Sequence, residues 1–344
     1  MEENNDLVES LKNIDYQSKK LVFLSNTFDH SMKVAINLFS NRLSDEDFLI
    51  DQDEYFKAQI DADALLNAYA SLIDYYYIFI AIKMNVPEHL INKVQYKKIA
   101  NNLVTKGMSW SDFISNLKSV IVGKFGEKYS FWDEHYYIWA EVFKKELVFW
   151  GVFDRNIKPY TEEKTKDGKV FITPHPLIQE YYSLTNFLHC YRNGDGHKYN
   201  IFLELNNFLK HNRYPLLQYE LHVLGDNTYA YAFYTIKKSD YKMLKDGILK
   251  TFAEVDFNVL KSALEHVSKD TGTFSELEME LGMPILTIDK SNGYEYQGAL
   301  YFYLSDVLIS RKSDSISINS RDLFSVSGRL VREIEKAVDI KILS

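Results

Sequence analysis

Apolar residues recur at helical spacing through most of the first 215 positions. In the segment 61–84 they step by three and four residues, which is the spacing of one helical face: Leu65, Tyr69, Leu72, Tyr76 and Ile80. Pro87 follows shortly afterwards and cannot continue a helix. The pattern therefore predicts one long helix that ends before Pro87.

The same spacing predicts several more helices in this part of the chain. They lie near 92–104, 110–122 and 131–153, after Pro176, and around Ile201, Leu205 and Phe208, where the last one ends before Pro215. The segment 154–172 interrupts this run. Its charged residues and the Asp167-Gly168 pair indicate an exposed loop or a small hairpin.

Beyond Pro215 the spacing changes from helical to alternating. Apolar residues alternate with polar ones on both sides of the turn signal at 225–227: Tyr219, Leu221 and Val223 before it, Tyr229, Tyr231 and Phe233 after it. Such a pattern predicts a β-hairpin. Similar patterns predict strands at 285–288, 294–309 and 315–318, helices at 244–252, 259–267 and near Leu277, and an amphipathic C-terminal helix at 328–340.

The order of these elements predicts an α+β fold. A chain of 344 residues, 46% of them hydrophobic, is large enough for two ordinary cores. We therefore expect a mainly helical bundle domain at 1–215 and a smaller mixed α/β domain at 216–344.

Cysteine content and the first residues of the chain both bear on location. The single cysteine, Cys190, can form neither an internal disulfide nor a cysteine-based zinc site, which is typical of a reducing compartment. The first six residues are acidic and polar, unlike a signal peptide. The longest apolar run, 75–82, is too short to cross a membrane. We expect a cytoplasmic protein without a membrane partner.

Charge is unevenly distributed along the chain. The formal net charge of −8 argues against general adhesion to nucleic acid, which depends on basic residues. The segment 41–75 is strongly acidic, whereas 86–130 is rich in lysine. Lys93, Lys97 and Lys98 are the candidate contacts of a polyanion there. Alternatively, the two segments form solvated helix faces of opposite sign.

Most motifs of known catalytic sites are missing from the sequence. It contains no P-loop, no glycine-rich dinucleotide turn, no His-Glu-x-x-His and no Gly-x-Ser-x-Gly. We therefore expect neither a cofactor nor a metal site. A Glu-x-Lys metal nuclease built on Glu162-Glu163-Lys164 and Asp154 is disfavoured, because those residues lie in the exposed charged segment.

One motif with chemical content remains, the run Arg192-Asn193-Gly194-Asp195-Gly196-His197. It resembles the R-N-x-x-x-H motif of HEPN ribonucleases. The resemblance implies a helical bundle, a homodimer that brings two motifs together, and cleavage of RNA without a metal ion. It also implies a role in toxin–antitoxin or anti-phage defence, with an antitoxin or regulatory protein as a possible partner.

The three motif residues carry side chains suited to this reaction. His197 can move a proton near neutral pH and so activate the ribose 2′-hydroxyl. Arg192 can hold phosphate oxygens in a bidentate manner and stabilise the charge that builds on them. Asn193 can position the histidine or the phosphate. Such a mechanism cuts RNA and spares DNA, which lacks the 2′-hydroxyl.

Two alternatives remain open at the level of sequence. Asn-Gly and Asp-Gly pairs are common in turns, so Arg192 to His197 could simply join two helices, with His175 and His211 as surface or capping residues nearby. The chain could also be a non-catalytic interaction protein that binds a partner protein or nucleic acid through charged and aromatic-rich helical faces. Tyrosine pairs within helical segments are equally consistent with core packing.

Overall fold

The computed structural model describes residues 5–42, 52–91, 94, 131–164, 166, 170–188, 197–212, 217–224, 226–245, 247–258, 260–261, 294–304 and 306–338. Several predictions fall outside these residues: the helices at 92–104, 110–122 and near Leu277, most of the helix at 259–267, and the strand at 285–288.

The described elements are helices and antiparallel strands. The helices are α1 Asn5–Arg42, α2 Gln52–Lys83, α3 Glu88–Ile91, α4 Phe131–Phe149, α5 Pro176–Thr185, α6 His197–Asn212, α7 Ile248–Glu254 and α8 Asp322–Val338, with a 3-10 helix at Lys238–Met243. The strands are β1 Tyr160–Lys164, β2 Val170–Pro174, β3 Leu217–Leu224, β4 Asn227–Lys237, β5 Tyr294–Tyr296, β6 Ala299–Leu304, β7 Val307–Arg311 and β8 Ser315–Asn319. A helical N-terminal region followed by a curled antiparallel sheet confirms the α+β class.

Contacts within the chain define two compact units. The first comprises Met1–Asp15, Ile73–Arg192 and Ile334–Ser344, and the second comprises Tyr16–Leu72 and Asn193–Glu333. The change from helix to strand falls between Asn212 and Leu217, as the alternating pattern predicts. A domain boundary at residue 215 stays a prediction.

The helix α2 is a core helix. Its predicted apolar face, Leu65, Tyr69, Leu72, Tyr76 and Ile80, is completely buried. By length and composition, residues Asp53–Lys83 could cross a membrane, but 67% of their most apolar window is buried within the protein. Such burial is typical of a core helix in a soluble protein. Tyr76, Tyr77, Tyr181 and Tyr182 are buried too, which confirms core packing for these tyrosine pairs.

The helix α1 has a buried face in which serine alternates with apolar residues. Buried side chains along it include Ser10, Ile14, Ser18, Leu21, Ser25 and Phe28, which step by three and four positions. The sequence yields no prediction for this segment, in which serine at buried positions interrupts the apolar stripe. The small side chains keep the helical spacing of burial while lowering the mean hydropathy of the face.

The strands form two antiparallel sheets. Strands β1 and β2 pair as a hairpin, which confirms the small-hairpin interpretation of 154–172. The other six strands form one sheet in the order β3-β4-β8-β7-β6-β5. This sheet curls until its two edge strands meet, since the Tyr296 hydroxyl on β5 lies 3.3 Å from the Val223 nitrogen and 3.4 Å from the Leu221 carbonyl oxygen on β3.

The C-terminal helix α8 begins at Asp322, six residues before its predicted start. Leu323 and Val326 extend its buried face towards the N-terminus. Asp322 accepts a hydrogen bond from the Leu308 backbone N–H at 2.8 Å, which ties the start of the helix to β7. Burial raises the pKa of Asp322 to about 7, although that hydrogen bond acts in the opposite direction.

Candidate functional site

The residues predicted to act on RNA lie almost entirely outside the described part of the chain. Arg192, Asn193, Lys93, Lys97 and Lys98 all do so. The backbone of His197 is described, and it forms the first residue of α6. The motif therefore leads directly into a helix, and the position of His197 depends on the contacts that hold this helix in the protein.

The first half of α6 is anchored in the second unit. Tyr199, Ile201, Phe202 and Leu205 are buried there. The hydroxyl of Tyr69 on α2 donates a hydrogen bond to the Tyr199 carbonyl oxygen at 3.2 Å, and the rings of Tyr69 and Phe202 meet edge to face. These contacts fix the position of the helix one turn beyond His197.

Lys198, which follows the motif histidine, is a buried cation. Its residue is 8% exposed, and its Nζ lies 3.7 Å from Oδ2 of Asp306 and 5.5 Å from the Tyr199 ring centre. Asp306, in the turn between β6 and β7, also pairs with Arg329 of α8. Two cations therefore share one half-exposed carboxylate next to the start of α6.

His175 has a structural role. It is the N-cap of α5, where its Nδ1 accepts a hydrogen bond from the Leu177 backbone N–H at 3.3 Å. Its ring also meets Phe153 edge to face at 5.0 Å. The prediction that His175 is a capping residue is confirmed. His211 lies in the last turn of α6.

A polar network that the sequence did not indicate lies on the inner face of the curled sheet. Glu220 on β3 is its centre. Its Oε2 accepts a hydrogen bond from the Tyr301 hydroxyl at 2.7 Å and lies 3.2 Å from Nε2 of His222. Its Oε1 accepts from Nζ of Lys312 at 3.0 Å. On the far side of the imidazole, Nδ1 of His222 pairs with the Tyr294 hydroxyl at 3.0 Å.

Glu220 is ionised under ordinary conditions. Burial alone would raise the pKa of this carboxyl, but the hydrogen bonds from Tyr301, Lys312 and His222 outweigh that effect and lower it below its usual value. An ionised carboxylate has no proton to donate, so Nε2 of His222 must carry the hydrogen that it shares with Glu220. The network is thus a fixed carboxylate with three donors around it.

Aromatic rings surround His222 and exclude water from it. The residue is 1% exposed, and the ring centres of Tyr231, Tyr296 and Tyr301 lie 4.8, 4.5 and 4.6 Å from that of the imidazole. Tyr294 stacks on Tyr301 at 5.0 Å. With its ring enclosed in this way, His222 is a structural member of the network and cannot reach a bound substrate directly.

Strand register explains why sequence reasoning missed this network. In the β3–β4 hairpin, Glu220 pairs with Tyr231 and His222 pairs with Tyr229, whereas Tyr219 pairs with Ala232. The apolar residues predicted for β3 therefore lie on one face of the sheet. The apolar residues predicted for β4 lie on the other face, together with Glu220 and His222. The sequence evidence for the network was the presence of polar residues at alternate positions of β3, Gln218, Glu220 and His222. Alternating polar residues, however, ordinarily indicate the solvent-exposed face of a sheet.

A groove of about 420 Å³ opens on the same face of the sheet. Lys312, which holds Glu220, forms part of its wall, and so do Gln218 of β3 and Thr235 of β4. The ion pair between Lys312 and Glu220 consequently connects the buried network with a solvent-accessible cavity.

Neither metal coordination nor relatedness assigns a chemistry to these residues. Among the described residues, no cluster of three histidine, cysteine, aspartate or glutamate side chains could hold a metal ion. Comparison with protein families, curated proteins and solved structures finds no match to this chain.

Proposed function

We propose that the chain is a metal-independent endoribonuclease that acts on RNA in the cytoplasm as a homodimer. The observation that carries the proposal is the position of His197 at the first residue of α6, a helix anchored in the core by Tyr199 and Phe202. A proton-transfer group needs a fixed position relative to its substrate, and helices provide it better than loops do.

The surroundings of His197 also favour an anionic substrate. Backbone N–H groups at the start of a helix point outward and attract phosphate. Lys198, the next residue of the helix, carries a cation, and Arg329 pairs with the same carboxylate, that of Asp306. A phosphodiester that approaches the start of α6 would therefore be attracted by the helix N-terminus.

In the proposed reaction, His197 removes the proton of a ribose 2′-hydroxyl. The freed oxygen attacks the adjacent phosphorus, and the bond to the 5′-oxygen of the next nucleotide breaks. That oxygen takes up the proton held by His197, which leaves a 2′,3′-cyclic phosphate and a 5′-hydroxyl. Arg192 stabilises the charge on the non-bridging oxygens, and Asn193 orients the reacting groups.

The test is RNA cleavage by the purified protein in EDTA, with single-stranded DNA as the companion substrate. We expect the wild type to cut RNA only, and His197→Ala and Arg192→Ala to lose at least about a hundredfold in rate, since proton transfer and phosphate binding each contribute on that order. His30→Ala and Arg332→Ala, which alter exposed residues of α1 and α8, are the matched controls.

The products provide a second check. A cyclic phosphate end identifies attack by the 2′-hydroxyl, whereas a 5′-phosphate end would identify a different, water-dependent reaction. If all four variants cut RNA at the wild-type rate, or none of the five proteins cuts it, the ribonuclease proposal is wrong.

A second candidate function is that of a non-catalytic interaction protein. Two aromatic residues on α1, Tyr16 and Phe23, are 64% and 69% exposed, and at seven residues apart they lie on one face of the helix. Phe56 and Ile60 on α2 are also exposed and lie four residues apart. Large exposed apolar side chains of this kind are typical of protein–protein contact surfaces.

A further inference from the structure

The groove on the inner face of the curled sheet has a strongly basic wall. Three lysines line it, Lys237, Lys238 and Lys312. The lining contains one carboxylate, that of Asp314. Lys312 is already paired with Glu220, so the charges of Lys237 and Lys238 stand against that of Asp314. The remaining excess of positive charge favours an anionic occupant.

The remaining side chains of the groove add neutral hydrogen-bonding groups. They are the hydroxyls of Thr235, Ser239 and Ser315 and the amide of Gln218. Asp314 is already engaged, because its Oδ1 accepts a hydrogen bond from the Ser315 hydroxyl at 3.2 Å and its carbonyl oxygen accepts from the Lys238 backbone N–H at 2.7 Å. The hydroxyls of Ser239 and Ser315 already donate to Asp240 and Asp314. The lysine ammonium groups and the Gln218 amide are therefore the main donors of the groove.

Part of this wall is rigid before any ligand arrives. Nζ of Lys312 is held 3.0 Å from Oε1 of Glu220, which is itself fixed by Tyr301 and His222. The Thr235 hydroxyl pairs with that of Ser317 at 2.9 Å. A cation fixed in this way loses little conformational freedom when it binds an anion, which strengthens binding.

We propose that this groove binds a small phosphorylated molecule. A phosphate group carries several acceptor oxygens and up to two negative charges, which complement the lysines and hydroxyls of the wall. The volume of about 420 Å³ lies in the usual range of small-molecule sites and exceeds the need of a lone phosphate ion. A ligand of the size of a mononucleotide meets both requirements.

This site is separate from the proposed ribonuclease motif. It is built by β3, β4, the first residue of β8 and the segments that follow β4 and β7, whereas the motif leads into α6. Binding to the groove therefore requires neither RNA nor cleavage, so the two proposals can fail independently.

The experiment is isothermal titration calorimetry of the full chain at low ionic strength with adenosine 5′-monophosphate, inorganic pyrophosphate and adenosine. We expect both phosphate probes to bind, adenosine not to bind, and added salt to weaken binding. Lys237→Gln and Lys312→Gln should each raise the Kd for adenosine 5′-monophosphate about tenfold, the cost of one charge-assisted hydrogen bond.

Two controls make the outcome specific. Lys250→Gln removes a lysine of α7 outside the groove and should leave the Kd unchanged, as should His197→Ala. Lys237 is exposed, so its replacement tests the site even if loss of the Lys312–Glu220 pair weakens folding. Equal affinity for adenosine and adenosine 5′-monophosphate, no binding of either phosphate probe, or equal weakening by Lys250→Gln would overturn the proposal.

Discussion

Glu146 shows how one side chain can tie stability to pH. It lies on α4 with both carboxyl oxygens buried and 2% of the residue exposed. Burial raises its pKa to about 8, although interaction with the Tyr181 hydroxyl acts in the opposite direction. The carboxyl is therefore mostly protonated at neutral pH in the folded chain, whereas the unfolded chain ionises it near its ordinary value of 4.5.

This difference fixes the sign of the pH effect. Between about pH 4.5 and pH 8 the unfolded chain releases a proton that the folded chain retains, so the free energy of unfolding falls as pH rises through that window. Glu146→Gln removes the titration while keeping the shape of the protonated acid. We expect the variant to gain stability relative to wild type by about 1–3 kcal/mol on going from pH 5 to pH 8.

Urea unfolding at several pH values measures this change. Glu180→Gln, which replaces an exposed glutamate of α5, is the matched control and should follow the wild-type curve. If the difference between Glu146→Gln and wild type is the same at every pH, Glu146 is not the group responsible.

The sequence predicted the role of a single residue only where neighbouring residues in the chain indicated that role. A lone histidine in a loop near the end of a helix is seldom catalytic, which predicts a surface or capping role for His175, and it caps α5. Glu220 and His222 were missed because their burial depends on the curl of the sheet, which brings Tyr294 and Tyr301 against them from over 70 residues away. No local pattern carries that information.

At the scale of elements, the seven-residue helix α7 depends on side chains from elsewhere. A helix so short is not stable alone. Glu204 of α6 accepts hydrogen bonds from the backbone N–H groups of Ile248 and Leu249 at 3.0 and 2.8 Å. Gly247 permits this approach, since a Cβ there would lie 2.4 Å from Oε1 of Glu204.

The opposite end of α7 is held by a buried arginine. Arg311 on β7 is 4% exposed and donates hydrogen bonds to the carbonyl oxygens of Phe252, Ala253 and Val255 at 3.2 to 3.4 Å. Its guanidinium also lies 5.6 Å from the Tyr241 ring centre. One side chain thus satisfies the last carbonyls of the helix, which have no partner within the helix.

We expect Arg311→Met to lower the free energy of unfolding by about 2–4 kcal/mol, because buried carbonyl groups lose their donors. Lys250→Met, which removes a partly exposed cation from the same helix, should cost less than about 0.5 kcal/mol. Chemical denaturation followed by circular dichroism measures both. Equal losses in the two variants would contradict this role for Arg311.

Helices and strands were predicted correctly where the buried positions of an element are occupied by apolar residues. The segments α4 and α6 and the β3–β4 hairpin lie where their patterns predict them, and α2 contains the predicted helix but begins nine residues earlier, at Gln52. The pattern gave no prediction for α1, where serine occupies buried positions. It placed the start of α8 too late, because the link between Asp322 and β7 lies outside the helix itself. The motif at Arg192–His197 could be recognised only from its residue types, and its action on RNA stays a prediction.

At the scale of the whole molecule, the proposed dimer is open to a direct test. The exposed face of α1 that carries Tyr16 and Phe23 is its candidate contact surface. We expect the wild type to run at about twice the chain mass of 40.3 kDa in size-exclusion chromatography with light scattering, and Phe23→Asp to run as a monomer.

Phe171→Asp is the matched control, because Phe171 is also an exposed phenylalanine, at 52%, but lies on β2. It should leave the dimer intact. A monomeric wild type would remove the dimer from the proposed function, and a dimer that survives Phe23→Asp would exclude this face of α1.

The meeting of β3 and β5 also protects the chain from aggregation. The open edge of a sheet presents unpaired backbone groups that can template a strand from another molecule. Here the Tyr296 hydroxyl occupies the edge of β3 at the Leu221 carbonyl oxygen and the Val223 nitrogen. An incoming strand would have to displace this tyrosine and uncover His222 before it could pair with β3. The curl that builds the polar network therefore also hinders fibril-like association through the β3 edge.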